Sequence, residues 1–481
     1  MNVRDTGTQA ARTRDEDEVE RSVAALVERA RAAQRGFEYA GQEVLDTAAN
    51  AAAWAIMEPV RNRQLAELSV RDTGLGNADD KFRKNYRKTL GLLRDLHGQK
   101  TCGVIARDDA TGIVEIARAV GVVAAVTPST NPAATPANKI INALKCGNAV
   151  IVAPSPKGYS SCALLIEFIH AQFAKAGIAA DLVQMLPAPI SKAATATLMR
   201  EADLVVATGS QANVRMAYAS GTPAFGVGAG NVASIVTASA DLHDAARKIA
   251  RSKTFDNATS CSSENSVVIE EAVYAPMLAE LTACGGVMLD AAQKARLQAA
   301  MWVNGKLSDQ CTARSASNIA RVAGLDEIAA QEPAFLMVEE TGYGADFPFS
   351  GEKLAPVLTV YRAADFEASA QIVRGIYGYM GAGHSVGLHS SEHGQAEQLG
   401  MTLPVARVIV NQAHCLATGG NFDNGLPFSL SMGCGTWGRN NFSGNLNFRH
   451  YLNITRVAYP ITEHVPEVDE LLGDYFGRVG R

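Results

Sequence analysis

The run VGVVAAVTP (120–128) opens a stretch that continues through ALKCGNAVIVAPS (143–155), YSSCALLIEFIHAQFAKAG (159–177), DLVQMLP (181–187), SKAATATLMREA (191–202), DLVVATG (203–209) and SQANVRMAYASG (210–221). Short runs dense in Val, Ile, Leu and Ala alternate with longer ones whose apolar residues recur every three or four positions. Strands that are apolar on both sides, each followed by a helix, predict right-handed βαβ units and a parallel sheet covered on both faces. The fold class is therefore α/β.

Outward from this stretch, residues from Val19 to about His97 read as helices, and TCGVIARDD and GIVEIARAV, joined by a DDATG turn, read as a β-hairpin. A second alternating series starts at ASIVTAS (233–239) and runs to about residue 445, so a second α/β domain follows the first. The strand-like HYLNITRVAYPI (450–461) is expected to end in a polar tail. The first twenty residues carry mixed charge and no apolar stretch, so they are expected to fray and to be neither a signal nor an anchor. No run of 18 apolar residues occurs, which predicts a soluble, cytoplasmic protein without a membrane partner.

With 481 residues, 47% hydrophobic and 19% charged, the chain is long enough for two or three folding units and has the make-up of a globular enzyme. Its 44 Lys and Arg against 49 Asp and Glu leave a formal charge of −5, which speaks against a nucleic-acid partner. The 8 cysteines show neither disulfide-scaffold density nor metal-ligand spacing, so no metal is expected. Lys81, Arg83, Lys84, Arg87 and Lys88 form a basic cluster on the last opening helix. A solvated face is its bland reading and a place beside an anionic ligand the other.

Among the cysteines, Cys261 stands apart in FDNATSCSSENS, surrounded by Asn257, Ser260, Ser262, Ser263 and Asn265, whereas Cys162 and Cys284 lie in apolar runs. A thiol among polar groups is the better nucleophile candidate; the alternative is a core cysteine. Asn131 sits between two prolines directly after a strand, as a turn residue or a donor. Gly209 and Ser210 make a strand-to-helix turn suited to a phosphate or to simple capping. The tempting GVGAG run at 226–230 opens no helix and lacks the context of a dinucleotide fingerprint.

Six segments, in order, resemble motifs of the aldehyde dehydrogenase superfamily: TPSTNP from Thr127, VVATGS from Val205, GVGAGN from Gly226, FDNATSC ending at Cys261, EKLAPV from Glu352 and GCGTWG from Gly433. The resemblance spans nearly the whole chain and is greatest to the CoA-acylating branch. It implies a Rossmann-like cofactor domain (1–98 and 119–230), a second α/β catalytic domain (231–445) and a small β oligomerisation arm (99–118 and 446–481), with a homodimer or homotetramer as the assembly. It further implies Cys261 as nucleophile, Asn131 as oxyanion donor, Glu352 at the nicotinamide ribose, and Gly209 and Ser210 at the cofactor. His384 in GAGHSV matches a histidine of the acylating branch and is given no role; a structural histidine at a glycine-rich turn is its alternative.

Two departures sharpen the expectation. Hydrolytic members place a glutamate where this chain has Gly226, so no carboxylate is set there to activate water, and CoA becomes the natural acyl acceptor. In VIVAPSPKG, Ala153 and Pro156 replace the lysine and acid that hydrolytic members set near the adenosine ribose. That leaves Ser155 and Lys157 to meet a 2′-phosphate and favours NADP over NAD; otherwise Lys157 is a solvated surface residue. Arg439, in SMGCGTWGRNNF, is expected to hold the anionic end of a small aldehyde, sulfoacetaldehyde first and succinate semialdehyde second, with a salt bridge or a solvent-facing position as its alternative. A hydrolytic enzyme and a non-enzymatic homologue are the competing functions; the latter has little use for Cys261, Asn131 and Glu352 together.

Overall fold

A computed structural model describes residues 14–228 and 230–481. Four helices come first: α1 (Arg14–Phe37), α2 (Gln42–Met57), α3 (Pro59–Thr73) and α4 (Ala78–Leu96). Of the twenty leading residues expected to fray, 1–13 lie outside the described residues, and 14–20 are corrected to the first turns of α1. The chain signals each break itself. Glu58 caps α3 by accepting the N–H groups of Val60 and Arg61 at 3.2 and 2.9 Å, with Pro59 in the first helical position. Asn77 caps α4 by accepting the Asp80 N–H at 2.9 Å.

After the hairpin β1 (Gly103–Asp108) and β2 (Ile113–Ala119) comes β3 (Val122–Val126), then helix α5 (Ala134–Lys145), β4 (Ala149–Ala153), helix α6 (Tyr159–Ala176), β5 (Val183–Met185), β6 (Leu204–Thr208) and β7 (Ala224–Val227). Strands β3 to β7 form one parallel sheet in the order β5-β4-β3-β6-β7. Every residue of β3 and β4 is buried, because helices cover both faces. The strand order reverses between β3 and β6, and the crevice at their carboxyl ends is where an open α/β sheet takes a ligand. Lys139 of α5 ties that crevice together by donating to the carbonyls of Val126 and Val206 at 2.5 and 2.8 Å.

The second parallel sheet holds β8 (Val232–Val236), β9 (Glu264–Glu270), β10 (Gly286–Met288), β13 (Phe335–Glu339), β14 (Val357–Ala363), β15 (Val386–His389) and β16 (Val408–Val410), ordered β10-β13-β14-β9-β8-β15-β16. A short ribbon, β11 (Trp302–Val303) with β12 (Lys306–Leu307), stands apart from it. The last strand, β17 (Leu452–Ala458), pairs antiparallel with β2 and completes a three-stranded arm. The expected polar tail is corrected: Val468–Val479 is a helix. Its Val468, Leu471, Leu472, Tyr475 and Val479 fall at helical spacing and all are exposed.

Helix α4 seats against the segment 419–428. Gly91 makes this possible, since a Cβ there would stand 2.2 Å from the ring of Phe428. Among the described residues no helix is long and apolar enough to cross a membrane, and no group of His, Cys, Asp and Glu is placed to hold a metal.

Candidate active site

Cys261 follows a tight turn in which Asp256, Asn257 and Ala258 have φ of 51°, 50° and 59°. Three consecutive left-handed residues with side chains cost roughly 1–2 kcal/mol each, so other contacts must hold them. The fully buried Asp256 supplies these contacts. Its carboxylate accepts from Lys84 Nζ (2.5 Å), Thr259 Oγ1 (2.6 Å), the Asn77 N–H (2.9 Å) and Lys81 Nζ (3.1 Å). Burial alone would push this carboxyl up, but Lys84, Lys81 and the hydrogen bonds from Lys84 and Thr259 more than offset it and hold it below the usual range.

Lys84 has a second task. Its ammonium donates to Asn131 Oδ1 at 2.8 Å. Because an ammonium can only donate, this contact fixes the amide with Oδ1 toward Lys84 and leaves Nδ2 as the outward donor. Asn131 and Cys261 both line one cavity of about 320 Å³, together with Gly209, Ser210 and Glu352, so residues 130 and more apart in sequence converge there. The Cys261 thiol is pushed up to about 12, by burial first and by Glu352 and Cys434 next, with Arg407 acting against them.

On the cofactor side, Gly209 follows β6, with a φ of 152° that is open to glycine, and Ser210 caps the helix Gln211–Ala219 by accepting the Asn213 N–H at 3.3 Å. Glu352 accepts the Gly230 N–H at 3.3 Å, and burial pushes its carboxyl up to about 8. A half-buried carboxyl facing the cavity with a single backbone donor, beside a turn free of side-chain bulk, is a donor set that fits the ribose and phosphates of a nicotinamide nucleotide.

The remaining predicted residues fall elsewhere. Ser155 and Lys157 lie just past β4, outside the cavity lining, and exposed Lys157 pairs with exposed Asp309 at 3.1 Å. His384 is fully buried, with Nδ1 at 2.7 Å from Ser385 Oγ and Nε2 without a hydrogen-bond partner. A Cβ at Gly230 would meet both the His384 ring (3.0 Å) and the Cys261 carbonyl (2.4 Å), so the histidine sits close to the Cys261 backbone. Arg439 requires a correction. The GCGTWG turn buries Cys434 and Asn440 and leaves Thr436, Trp437 and Arg439 exposed, so the guanidinium does not line the cavity. The solvated-face reading of the basic cluster is corrected too: Lys81 and Lys84 are buried, and Lys84, Arg87 and Lys88 line the cavity. The signal was their spacing on one helical face; what hid it was that Asp256 lies some 170 residues away.

A profile of the "Aldehyde dehydrogenase family" matches residues 2–298. The chain belongs to the aldehyde dehydrogenase family. Within this family it falls in the acylating branch. It is 73% identical over 460 residues to a sulfoacetaldehyde dehydrogenase (acylating) of Cupriavidus necator, covering 96% of this chain and 93% of that one. To the acylating sulfoacetaldehyde dehydrogenase of Bilophila wadsworthia it is 39% identical over 466 residues, 96% of this chain and 100% of the relative. A solved acetylating aldehyde dehydrogenase of Geobacillus thermoglucosidasius superposes with a TM-score of 0.89 at 32% identity, covering 94% of this chain and 99% of that one. The aldehyde dehydrogenase fold and the α/β class read from the sequence agree.

Proposed function

We propose that this aldehyde dehydrogenase converts sulfoacetaldehyde, CoA and NADP+ to sulfoacetyl-CoA, NADPH and a proton. The Cys261 thiol gives its proton to water, which accounts for the proton among the products, and Sγ attacks the aldehyde carbon; the oxyanion that forms takes hydrogen bonds from Asn131 Nδ2 and the Cys261 N–H. A nicotinamide nucleotide, when bound, supplies the hydride acceptor; Glu352 holds its ribose, and Gly209 and Ser210 border it. The thioester left on Cys261 is then cleaved by the CoA thiol, which forms the new C–S bond and returns the cysteine sulfur.

One observation carries the choice of CoA over water. Among the described residues, the only carboxyl lining the cavity is Glu352, and in this mechanism it is given to the nicotinamide ribose. Gly226, where a hydrolytic member has its base, lies in β7 and has no room for one: a Cβ there would stand 2.7 Å from Val214 Cγ1 and 3.1 Å from the Tyr218 ring. Purified protein with sulfoacetaldehyde and NADP+ is therefore expected to turn over steadily only when CoA is present. Steady release of sulfoacetate at an equal rate without CoA would make the enzyme hydrolytic, and faster turnover of acetaldehyde or succinate semialdehyde would move the substrate.

The similarity to two acylating sulfoacetaldehyde dehydrogenases supports the sulfonate. The preference for NADP+ rests on Ser155, Pro156 and Lys157, where no acid on that strand would repel a 2′-phosphate. Assembly into a homodimer or homotetramer through the β1-β2-β17 arm is supported by the exposed apolar stripe on the helix that follows β17.

A further inference from the structure

Lys84, Arg87 and Lys88 project from one face of α4, at spacings of three and four residues, and all line the cavity that holds Cys261. Against these three basic side chains the cavity presents one carboxyl, Glu352, which burial pushes up to about 8. Lys84 is already committed to Asp256 and Asn131. Arg87 and Lys88 are not neutralised in this way. The Lys88 ammonium rests on the carbonyls of Gly419 and Gly420 at 2.9 and 3.0 Å, which leaves its third N–H free. Arg87 gives one N–H to the side-chain oxygen of Asn421 and lays its guanidinium over the Phe422 ring at 4.8 Å. Among the described residues no carboxylate lies within salt-bridge distance of either.

Arg87 is a cation with no carboxylate partner, and burial pushes the Lys88 ammonium down to about 7, so the pair carries its full charge only when an anion visits. The route to them is itself cationic. A second cavity, of about 630 Å³, shares Arg87, Phe255 and Leu416 with the first and adds Arg83 and Arg251, with Asp80 as its only carboxylate. It shares none of Gly209, Ser210, Gly228 or Glu352, so it adjoins the α4 side of the site and not the cofactor side.

We propose that Arg87, with Lys88 beside it, anchors the anionic end of the aldehyde, and that the arginine-lined second cavity is the mouth through which that aldehyde enters. The planar guanidinium offers paired donors to a sulfonate or carboxylate, while the aldehyde carbon of a two-carbon chain stays free to meet Cys261. This rests on the substrate class proposed above, and the test separates the two. Wild-type enzyme is first assayed with CoA on sulfoacetaldehyde and acetaldehyde; if it does not favour the sulfonate, the substrate reading fails before any variant is made.

If it does, Arg87→Gln should lower the ratio of kcat/KM for sulfoacetaldehyde over acetaldehyde by roughly 10- to 100-fold, chiefly through KM, with Arg87→Lys recovering part of the loss. An equal loss on both aldehydes would make Arg87 structural and overturn the anchor while leaving the substrate reading intact. Because Arg87 also holds Asn421 and Phe422, a measurement on the unaltered protein guards against a misfolded variant. Ethanesulfonate should shield Arg87 from phenylglyoxal, read by peptide mass spectrometry, and the uncharged ethyl methyl sulfone should not. Equal modification of Arg87 with and without the sulfonate would overturn the proposal.

Discussion

In the proposed mechanism, replacing Asn131 by alanine removes one of the two oxyanion donors, the other being the Cys261 N–H. A preorganised donor of this kind contributes about 2.7–4 kcal/mol to the transition state, so kcat should fall roughly 100- to 1,000-fold with KM little changed. The structure says why the donor counts at full strength: Lys84 Nζ, 2.8 Å from Oδ1, holds the amide in one orientation, and no rotation has to be arrested at the moment of attack. The fold should survive, because Lys84 keeps Asp256 as its partner and the side chain of Asn131 otherwise makes only a 3.5 Å contact with Thr130 Oγ1. Single-turnover hydride transfer, followed by nicotinamide absorbance, isolates the step from thioester cleavage. Asn131→Asp should be slower still, since it sets a carboxylate where negative charge develops, and Lys84→Met should reproduce much of the Asn131→Ala loss by freeing the amide. A drop in kcat of less than tenfold, or an effect confined to KM, would refute the two-donor reasoning.

The Cys261 thiol, pushed up to about 12 against an ordinary 9.0, should react with iodoacetamide roughly 1,000-fold more slowly than a free cysteine near pH 8, with a rate still climbing tenfold per pH unit; a plateau near neutrality would contradict this. His389 and His414 are pushed down to about 4 by burial, so the folded state favours their neutral forms. The stability this confers is present above about pH 6.5 and is lost as pH falls toward 4, up to about 3 kcal/mol for each ring. The melting temperature should drop across that window and drop less in His389→Gln; an unchanged slope would clear that histidine. Asp309, 3.1 Å from Lys157, competes with a 2′-phosphate, so Asp309→Asn should raise the kcat/KM ratio of NADP+ over NAD+ severalfold, and no change would place Lys157 outside the cofactor site.

The sheets were legible because burial on both faces leaves an unmistakable mark: β3 and β4 are all Val, Ile and Ala, and helices intervene at regular intervals. The tail helix was legible in principle, through Val468, Leu471, Leu472 and Tyr475, but the acids and glycines between them read as polar tail. Lys81 and Lys84 show the limit of local reading. A charged run is solvated unless something neutralises it, and the neutralising Asp256 is brought in by the fold from another domain-sized stretch of chain. Arg439 fails for the opposite reason: its neighbours Cys434 and Asn440 do turn inward, and only the path of the turn decides that the arginine does not. The meeting of Asn131 with Cys261 was reached through family resemblance, since nothing in the local chemistry of either segment points to the other.

That meeting joins two separately built halves. Asn131 hangs from the end of β3 in the first parallel sheet, Cys261 precedes β9 in the second, and Lys84 of α4 grips both Asn131 and Asp256 across the seam. The oxyanion pair thus exists only while the halves are seated to within a fraction of a hydrogen-bond length. The enzyme carries, in effect, a gauge of its own inter-sheet alignment: mild urea that lets the seam slip would silence hydride transfer while circular dichroism still reports both sheets intact. Loss of activity would then mark the loosening of a joint, well before the unfolding of either part.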